Sequence, residues 1–225
     1  MALENAPAGR SDAVRNRAKL LAAADAYLAE HGPPLAFNDL ARYAGVGVGT
    51  VYRHFSDPAE LQQALMGRRL DAVVALLEQA AEVEDPIAGL RQAVLAICEL
   101  RTRDLGIEPL LTGSVATFEA TRQRLMPPTE RLVERAQASG RMRPEFSTPD
   151  VGILLWLGGA LHQYTGEVDA HLWRRYIEAL LDGLQADTEP RQDLSVAALD
   201  PERMADVVHG HNRPRRRAAQ PKEPT

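Results

Sequence analysis

Cysteine is nearly missing from this 225-residue sequence. Cys98 stands alone, so no disulfide framework exists and a reducing cytoplasm is the expected compartment. No apolar run reaches the roughly 18 residues that a bilayer span needs. Residues 1–10 lack the apolar centre of a signal peptide. No strand-period segment of useful length occurs, which argues against a parallel α/β fold. Catalytic signatures are equally scarce. The run Gly45-Val46-Gly47-Val48-Gly49-Thr50 lacks the Lys-Ser/Thr of a P-loop and follows no strand, and its last glycine falls one residue early for a dinucleotide fingerprint. The six histidines form no HExxH pair, one cysteine cannot build a thiolate site, and His209-Gly210-His211 reads as solvated tail. No metal, no cofactor and no enzyme activity are expected.

What remains is an ordinary globular composition, 45% hydrophobic and 25% charged, with helical periodicity almost throughout. Apolar residues at Val14, Ala18, Leu21, Ala22 and Leu28 predict a helix over 12–31, stopped by Gly32-Pro33-Pro34. Further helices are expected over 38–44, 48–55, 59–81, 87–103, 114–139, 151–165 and 170–184. Pro58 and Pro86 suit first helical turns. Pro127-Pro128 is expected to kink or interrupt the helix over 114–139. The fold class is therefore all-α.

The most informative stretch is residues 44–55. A helix ends at Gly45, the residue that most cheaply closes a helix in the left-handed conformation. After a short turn, a second helix begins that is polar on one face, with Thr50, Arg53 and His54, while Val46, Val51 and Phe55 are expected to turn inward. Such a helix suits a DNA major groove, its first residues at base edges and its polar groups at phosphates. Charge is permissive: the net −5 divides into +2 over residues 10–69, −6 over residues 70–186, zero over 187–225 and −1 at Glu4, and phosphate attraction depends on the local field.

Residues from about Ser11 to Leu65, with Tyr52-Arg53-His54-Phe55, the Ser56-Asp57-Pro58 helix start and the run Leu61, Leu65, resemble the DNA-binding domain of the TetR (tetracycline repressor-like) family of bacterial transcriptional regulators. The resemblance implies a three-helix helix-turn-helix domain (11–56), a linking helix (57–81) and a helical ligand-binding and dimerisation domain (82–186). Residues 187–225, with the basic cluster Arg213 to Arg217, read as a disordered tail. The implied DNA-binding residues are Gly47, Val48, Gly49, Thr50, Tyr52, Arg53 and His54, with Arg15 nearby. Thr50, Tyr52 and His54 stand at positions that touch phosphates in the family, and Val48, at the groove-facing start, is an apolar group suited to a thymine methyl.

Three positions depart from the family's pattern. Ala36 replaces a frequent threonine, Pro58 a common lysine, and Gly47 a hydroxyl residue at the recognition-helix cap. Each removes a phosphate contact or cap, to be offset by Arg10, Arg15 or Arg17. The resemblance also implies that the last two helices pair in a four-helix dimer interface. The residues expected there are Leu154, Leu161, Trp173, Tyr176, Ile177, Leu180 and Leu184, with Gly158-Gly159 admitting another backbone. A small hydrophobic ligand is expected among Cys98, Arg101, Phe118, Trp156 and His162. The partners implied are thus a pseudo-palindromic duplex operator, a second copy of the chain and that ligand. A DNA-binding dimer without an effector is the alternative.

Overall fold

The computed structural model describes residues 8–32, 34–107, 110–111, 115–186, 199–200 and 203. Among them are eight α-helices, a short 3₁₀ turn and no strand. One isolated antiparallel bridge joins Met142 to Gln185. No described helix is long and apolar enough to cross a membrane. The tail expected over 187–225 lies outside the described residues except at Leu199, Asp200 and Arg203.

The chain divides into two compact units, Met1–Asp71 and Ala72–Thr225. The first holds α1 (Ala8–His31), α2 (Phe37–Tyr43), α3 (Val48–His54) and the first half of α4 (Pro58–Ala81). Its core is small and apolar: Leu20, Leu21, Ala24, Phe37, Leu40, Val51, Phe55, Leu61 and Leu65 are all buried. Each comes from the inward stripe of its helix, at i, i+3 or i+4 spacing. Asp57 and Glu60 begin α4 reciprocally. The Asp57 carboxylate accepts the Glu60 amide at 2.9 Å, and the Glu60 carboxylate accepts the Ser56 amide at 2.7 Å and hydroxyl at 3.0 Å. These bonds satisfy amides that a helix start leaves unpaired. They also hold the Glu60 carboxyl below the usual carboxylate range, the Ser56 amide being the largest cause.

The second unit holds the rest of α4 with α5 (Pro86–Arg103), the turn Leu105–Ile107, α6 (Val115–Ala138), α7 (Thr148–Thr165) and α8 (Leu172–Gly183). Trp173, Ile177, Leu90, Val94, Ile97, Leu132 and Phe146 fill its centre. At full burial an aliphatic side chain of this size contributes roughly 1.5–3 kcal/mol, so this centre is where the unit's stability resides. Helix α6 runs unbroken through Pro127-Pro128, against the interruption expected from its sequence. The Thr129 hydroxyl donates to the Leu125 carbonyl at 2.7 Å one turn back, and the apolar face with Leu132, Val133 and Ala136 buried holds the helix on the core.

Asp85 starts α5, accepting the amides of Ile87 at 2.9 Å and Ala88 at 3.3 Å. Arg141 donates to both of its oxygens at 3.0 Å. The Arg141 bond is the main reason that the Asp85 carboxyl lies below its ordinary value. A lowered carboxylate stabilises the fold above the unfolded value of about 4 and loses that contribution as pH falls through the folded value. The melting temperature is therefore expected to fall between about pH 5 and pH 3, and Asp85→Asn should flatten part of that fall. An acid profile identical in the two proteins would remove Asp85 from the account.

Candidate nucleic-acid interface

Helix α2 ends at a glycine that nothing else replaces cheaply. Gly45 has φ +67°, a left-handed conformation that costs an L-residue with a Cβ. The Val46 amide returns to the Ala41 carbonyl at 2.9 Å, closing the helix end. The chain then turns, and Gly47, in extended backbone at φ −69° and ψ 143°, begins α3 with no side-chain cap. Val51 and Phe55 are fully buried. Val46 was expected beside them and instead is exposed, because the turn carries it away from the inward face of α3.

The outward face of α3 is solvated. Gly47, Val48 and Gly49 are exposed at its start, followed by half-buried Thr50, exposed Tyr52 and Arg53, and half-buried His54. Tyr52 is 59% exposed, with its ring edge-on to Phe37 at 5.0 Å. Its apolar body is thus fixed while its hydroxyl faces water. Arg53 is held along its own helix, donating to the Thr50 hydroxyl at 2.9 Å and the Gly49 carbonyl at 3.4 Å. A Cβ added at Gly47 or Gly49 would meet nothing within 4 Å, so the leading edge of α3 is bare backbone open to close approach.

Sequence reasoning placed Arg17 among possible phosphate contacts, and the structure gives it another task. Its Nη1 donates to the His54 carbonyl at 2.8 Å, one of the carbonyls that a helix end leaves unpaired. The guanidinium lies 4.4 Å from the centre of the Phe55 ring and 3.6 Å from the Glu60 carboxylate. Arg17 therefore braces the end of α3, where a positive charge also suits the helix dipole. No local pattern announces a contact spanning 37 residues. Arg15 is largely exposed and pairs with Asp12 one turn earlier. The Arg10 side chain lies outside the described residues.

The C-terminal expectations need more correction. Trp173 and Ile177 are fully buried in the second unit and Leu154 lies in the same core, while Leu161 and Leu184 pack half-buried against it. Of the expected interface only Tyr176 and Leu180 are exposed, and Leu157, Tyr164 and Val168 join them as exposed apolar residues. A helix wide enough to be apolar on two faces does not reveal in its sequence which face its own fold takes. Gly158 and Gly159 admit side chains rather than a backbone: a Cβ at Gly158 would stand 2.7 Å from the Cys98 sulfur, and one at Gly159 only 1.9 Å from Arg101 Cζ.

Cys98 is buried, and that burial pushes its thiol up to about 12, so it is an inert packing group. The Trp156 indole donates to the Leu111 carbonyl at 3.0 Å. Phe118 falls in α6, but its side chain lies outside the described residues. Only Arg101 and His162 of the expected pocket set meet at a cleft, of about 560 Å³, lined also by Thr102, Gly159, Gly166 and Glu167. Most of that lining is apolar surface, into which Arg101, His162, Gln163 and Glu167 set a few polar groups.

Residues 20–65 match the family model described as bacterial regulatory proteins, tetR family. An HTH-type transcriptional regulator of Staphylococcus aureus is 37% identical over 82 residues, 35% of this chain and 39% of that protein. The HTH-type transcriptional repressor BepR of Brucella suis is 31% identical over 98 residues, 42% of this chain and 47% of that protein. The chain thus spans less than half the length of these curated relatives. A crystal structure of a TetR transcription regulatory protein from Mycobacterium vanbaalenii superimposes with a TM-score of 0.60 at 26% identity, covering 79% of this chain and 99% of that one.

Ala36 precedes α2 in extended backbone and offers no side-chain cap. Ala36→Thr is expected to supply one and to stabilise the first unit by about 1 kcal/mol. Chemical denaturation followed by circular dichroism checks this; an unchanged or lowered midpoint would mean that the new hydroxyl does not reach the amides of α2.

Proposed function

Because the chain belongs to the TetR family of bacterial regulatory proteins through its N-terminal domain, we propose that it is a sequence-specific DNA-binding transcriptional regulator, acting in the cytoplasm as a repressor. The observation that carries this reading is α3, a seven-residue helix with a braced inner face and a solvated outer one. Its first turn, bare at Gly47 and Gly49, lets backbone and Val48 come close to base edges. Thr50, Tyr52, Arg53 and His54 then supply hydroxyls, a ring N–H and a charge for the flanking phosphates. Catalysis has no part in this reading.

The operator-bound form is a two-fold dimer on a pseudo-palindromic site. Two such helices must stand about 34–36 Å apart to enter successive major grooves, and a homodimer supplies that spacing by symmetry. The surface assigned to the dimer is the exposed apolar set Leu157, Tyr164, Val168, Tyr176 and Leu180, in place of the buried residues that the sequence suggested. A single exposed leucine is ordinary, whereas a group of this size on two consecutive helices and the turn between them marks a contact surface. A small molecule bound in the second unit releases the DNA. It does so by favouring an arrangement in which the spacing of the recognition helices no longer fits, a shift of populations set by its differential affinity.

Binding to duplex DNA from the chain's own upstream intergenic region, followed by fluorescence anisotropy at two salt concentrations, tests the first claim. Tight binding that weakens with salt and exceeds that to a scrambled duplex is expected. Tyr52→Ala and Arg53→Ala should each weaken it by roughly tenfold, in keeping with about 1–3 kcal/mol per specific contact, without unfolding the second unit. Undiminished affinity in both variants would take α3 out of the interface.

The dimer has its own test. Tyr176→Glu with Leu180→Glu places charges on the exposed face of α8 and leaves the buried Trp173 and Ile177 untouched. Sedimentation velocity should show a dimer for the native chain and a folded monomer for the double variant. A double variant that remains dimeric would move the interface elsewhere.

A further inference from the structure

We propose that the cleft between α5 and α7 takes a small organic acid, its carboxylate held by Arg101 and His162. The inference rests on the reading of the second unit as effector-binding and names the chemical class of that effector.

The cleft is built around two absent side chains. Gly159, His162, Gln163 and Gly166 fall at i, i+3, i+4 and i+7, a spacing that sets them on one face at the end of α7, and all four line the cleft. A Cβ at Gly159 would stand 1.9 Å from Arg101 Cζ and 2.0 Å from its Nη1. One at Gly166 would stand 3.0 Å from His162 Cε1 and 2.6 Å from the His162 carbonyl. Two turns apart, Gly159 makes a notch for a guanidinium, and Gly166 relieves the His162 carbonyl first and the imidazole second. At Gly159 packing alone does not ask for that, since a methyl group would fill the notch.

Arg101 reaches this position from the last turn of α5, anchored by Nη1 donating to the Leu155 carbonyl at 2.7 Å. It is half-buried, and its planar fork of donors matches a carboxylate in geometry and charge. His162 lines the same cleft from α7. Its Nδ1 is buried against Gly166 without a hydrogen-bond partner among the described residues, so Nε2 is the ring nitrogen left for a ligand. Charge selects further. Glu167 stands exposed on the cleft lining, so a dianion is disfavoured there, while a hydroxyl or amine on the ligand finds an acceptor. The volume, about 560 Å³, suits a molecule with a body of many atoms behind its carboxylate.

Isothermal titration calorimetry of the full chain with matched probes tests this. Phenylacetate, 4-hydroxyphenylacetate and octanoate would each be compared with the corresponding primary amide, which keeps the shape and removes the charge. At least one acid should bind about tenfold or more tightly than its amide, the usual worth of a charge-assisted bond over a neutral one. Arg101→Gln should erase that preference. Because Arg101 also holds the Leu155 carbonyl, Gly159→Ala serves as the second variant: it keeps the arginine, displaces the guanidinium, and should lose the preference too. Equal affinity in every pair, no binding by any acid, or a preference that survives Arg101→Gln would each overturn the proposal. Release of operator DNA, measured separately by anisotropy, keeps the two claims apart. Acid binding without release would leave the site standing and refute the coupling; release by an uncharged probe would do the reverse.

Discussion

A seven-residue helix is not stable in water by itself, so what α3 offers to a partner depends on how its inner face and far end are held. Val51 and Phe55 bury the inner face, and Arg17 closes the end through the His54 carbonyl. The same guanidinium lies over Phe55 and beside Glu60, which in turn begins α4 through Ser56. One arginine therefore ties α1, the end of α3 and the start of α4 together. Its positive charge is used inside the fold, and the outer residues of α3 remain available because this brace is on the other side.

The second unit follows a related logic with different materials. Its core is large, and Trp173, Ile177 and Phe146 are sealed within it. That leaves α8 with a second apolar stripe, Tyr176 and Leu180, for which the unit has no use. On α7 the excess takes the form of glycine. Gly158 yields to the Cys98 sulfur and Ile177, which is packing, while Gly159 yields to a guanidinium, which packing does not require. The difference between these neighbouring glycines separates core from cleft.

Much of this was legible in the sequence. The helices were, because apolar residues recur at helical spacing and because Gly45, Pro58 and Pro86 punctuate them. The exposed polar face of α3 was legible too, since a helix so short has few ways to divide its residues. Side choice on α7 and α8 was not: Trp173, Ile177, Tyr176 and Leu180 all belong to one wide apolar arc, and only the packed unit decides which of them it buries. Nor was the role of Arg17, which is set by residues 37 or more positions away. The continuity of α6 through Pro127-Pro128 likewise depends on buried Leu132, Val133 and Ala136 outweighing the local loss of amide bonds.

The departures from the family's pattern acquire a physical meaning in this frame. Ala36 and Gly47 leave the starts of α2 and α3 without side-chain caps, and Pro58 offers no charge at the start of α4. Each missing cap costs stability of up to about 1–2 kcal/mol for alanine and a few tenths for glycine. The unit compensates where caps remain possible, through Asp57 and Glu60 and through the Arg17 brace. The same losses remove hydroxyls and a cation that would otherwise meet phosphates. In the function proposed above, recognition then leans on the first turn of α3 and on Tyr52 and Arg53, with fewer charge-bearing anchors around them. Fewer phosphate contacts mean a shallower dependence of affinity on salt, so under that proposal non-specific grip gives way to contact made by α3 itself.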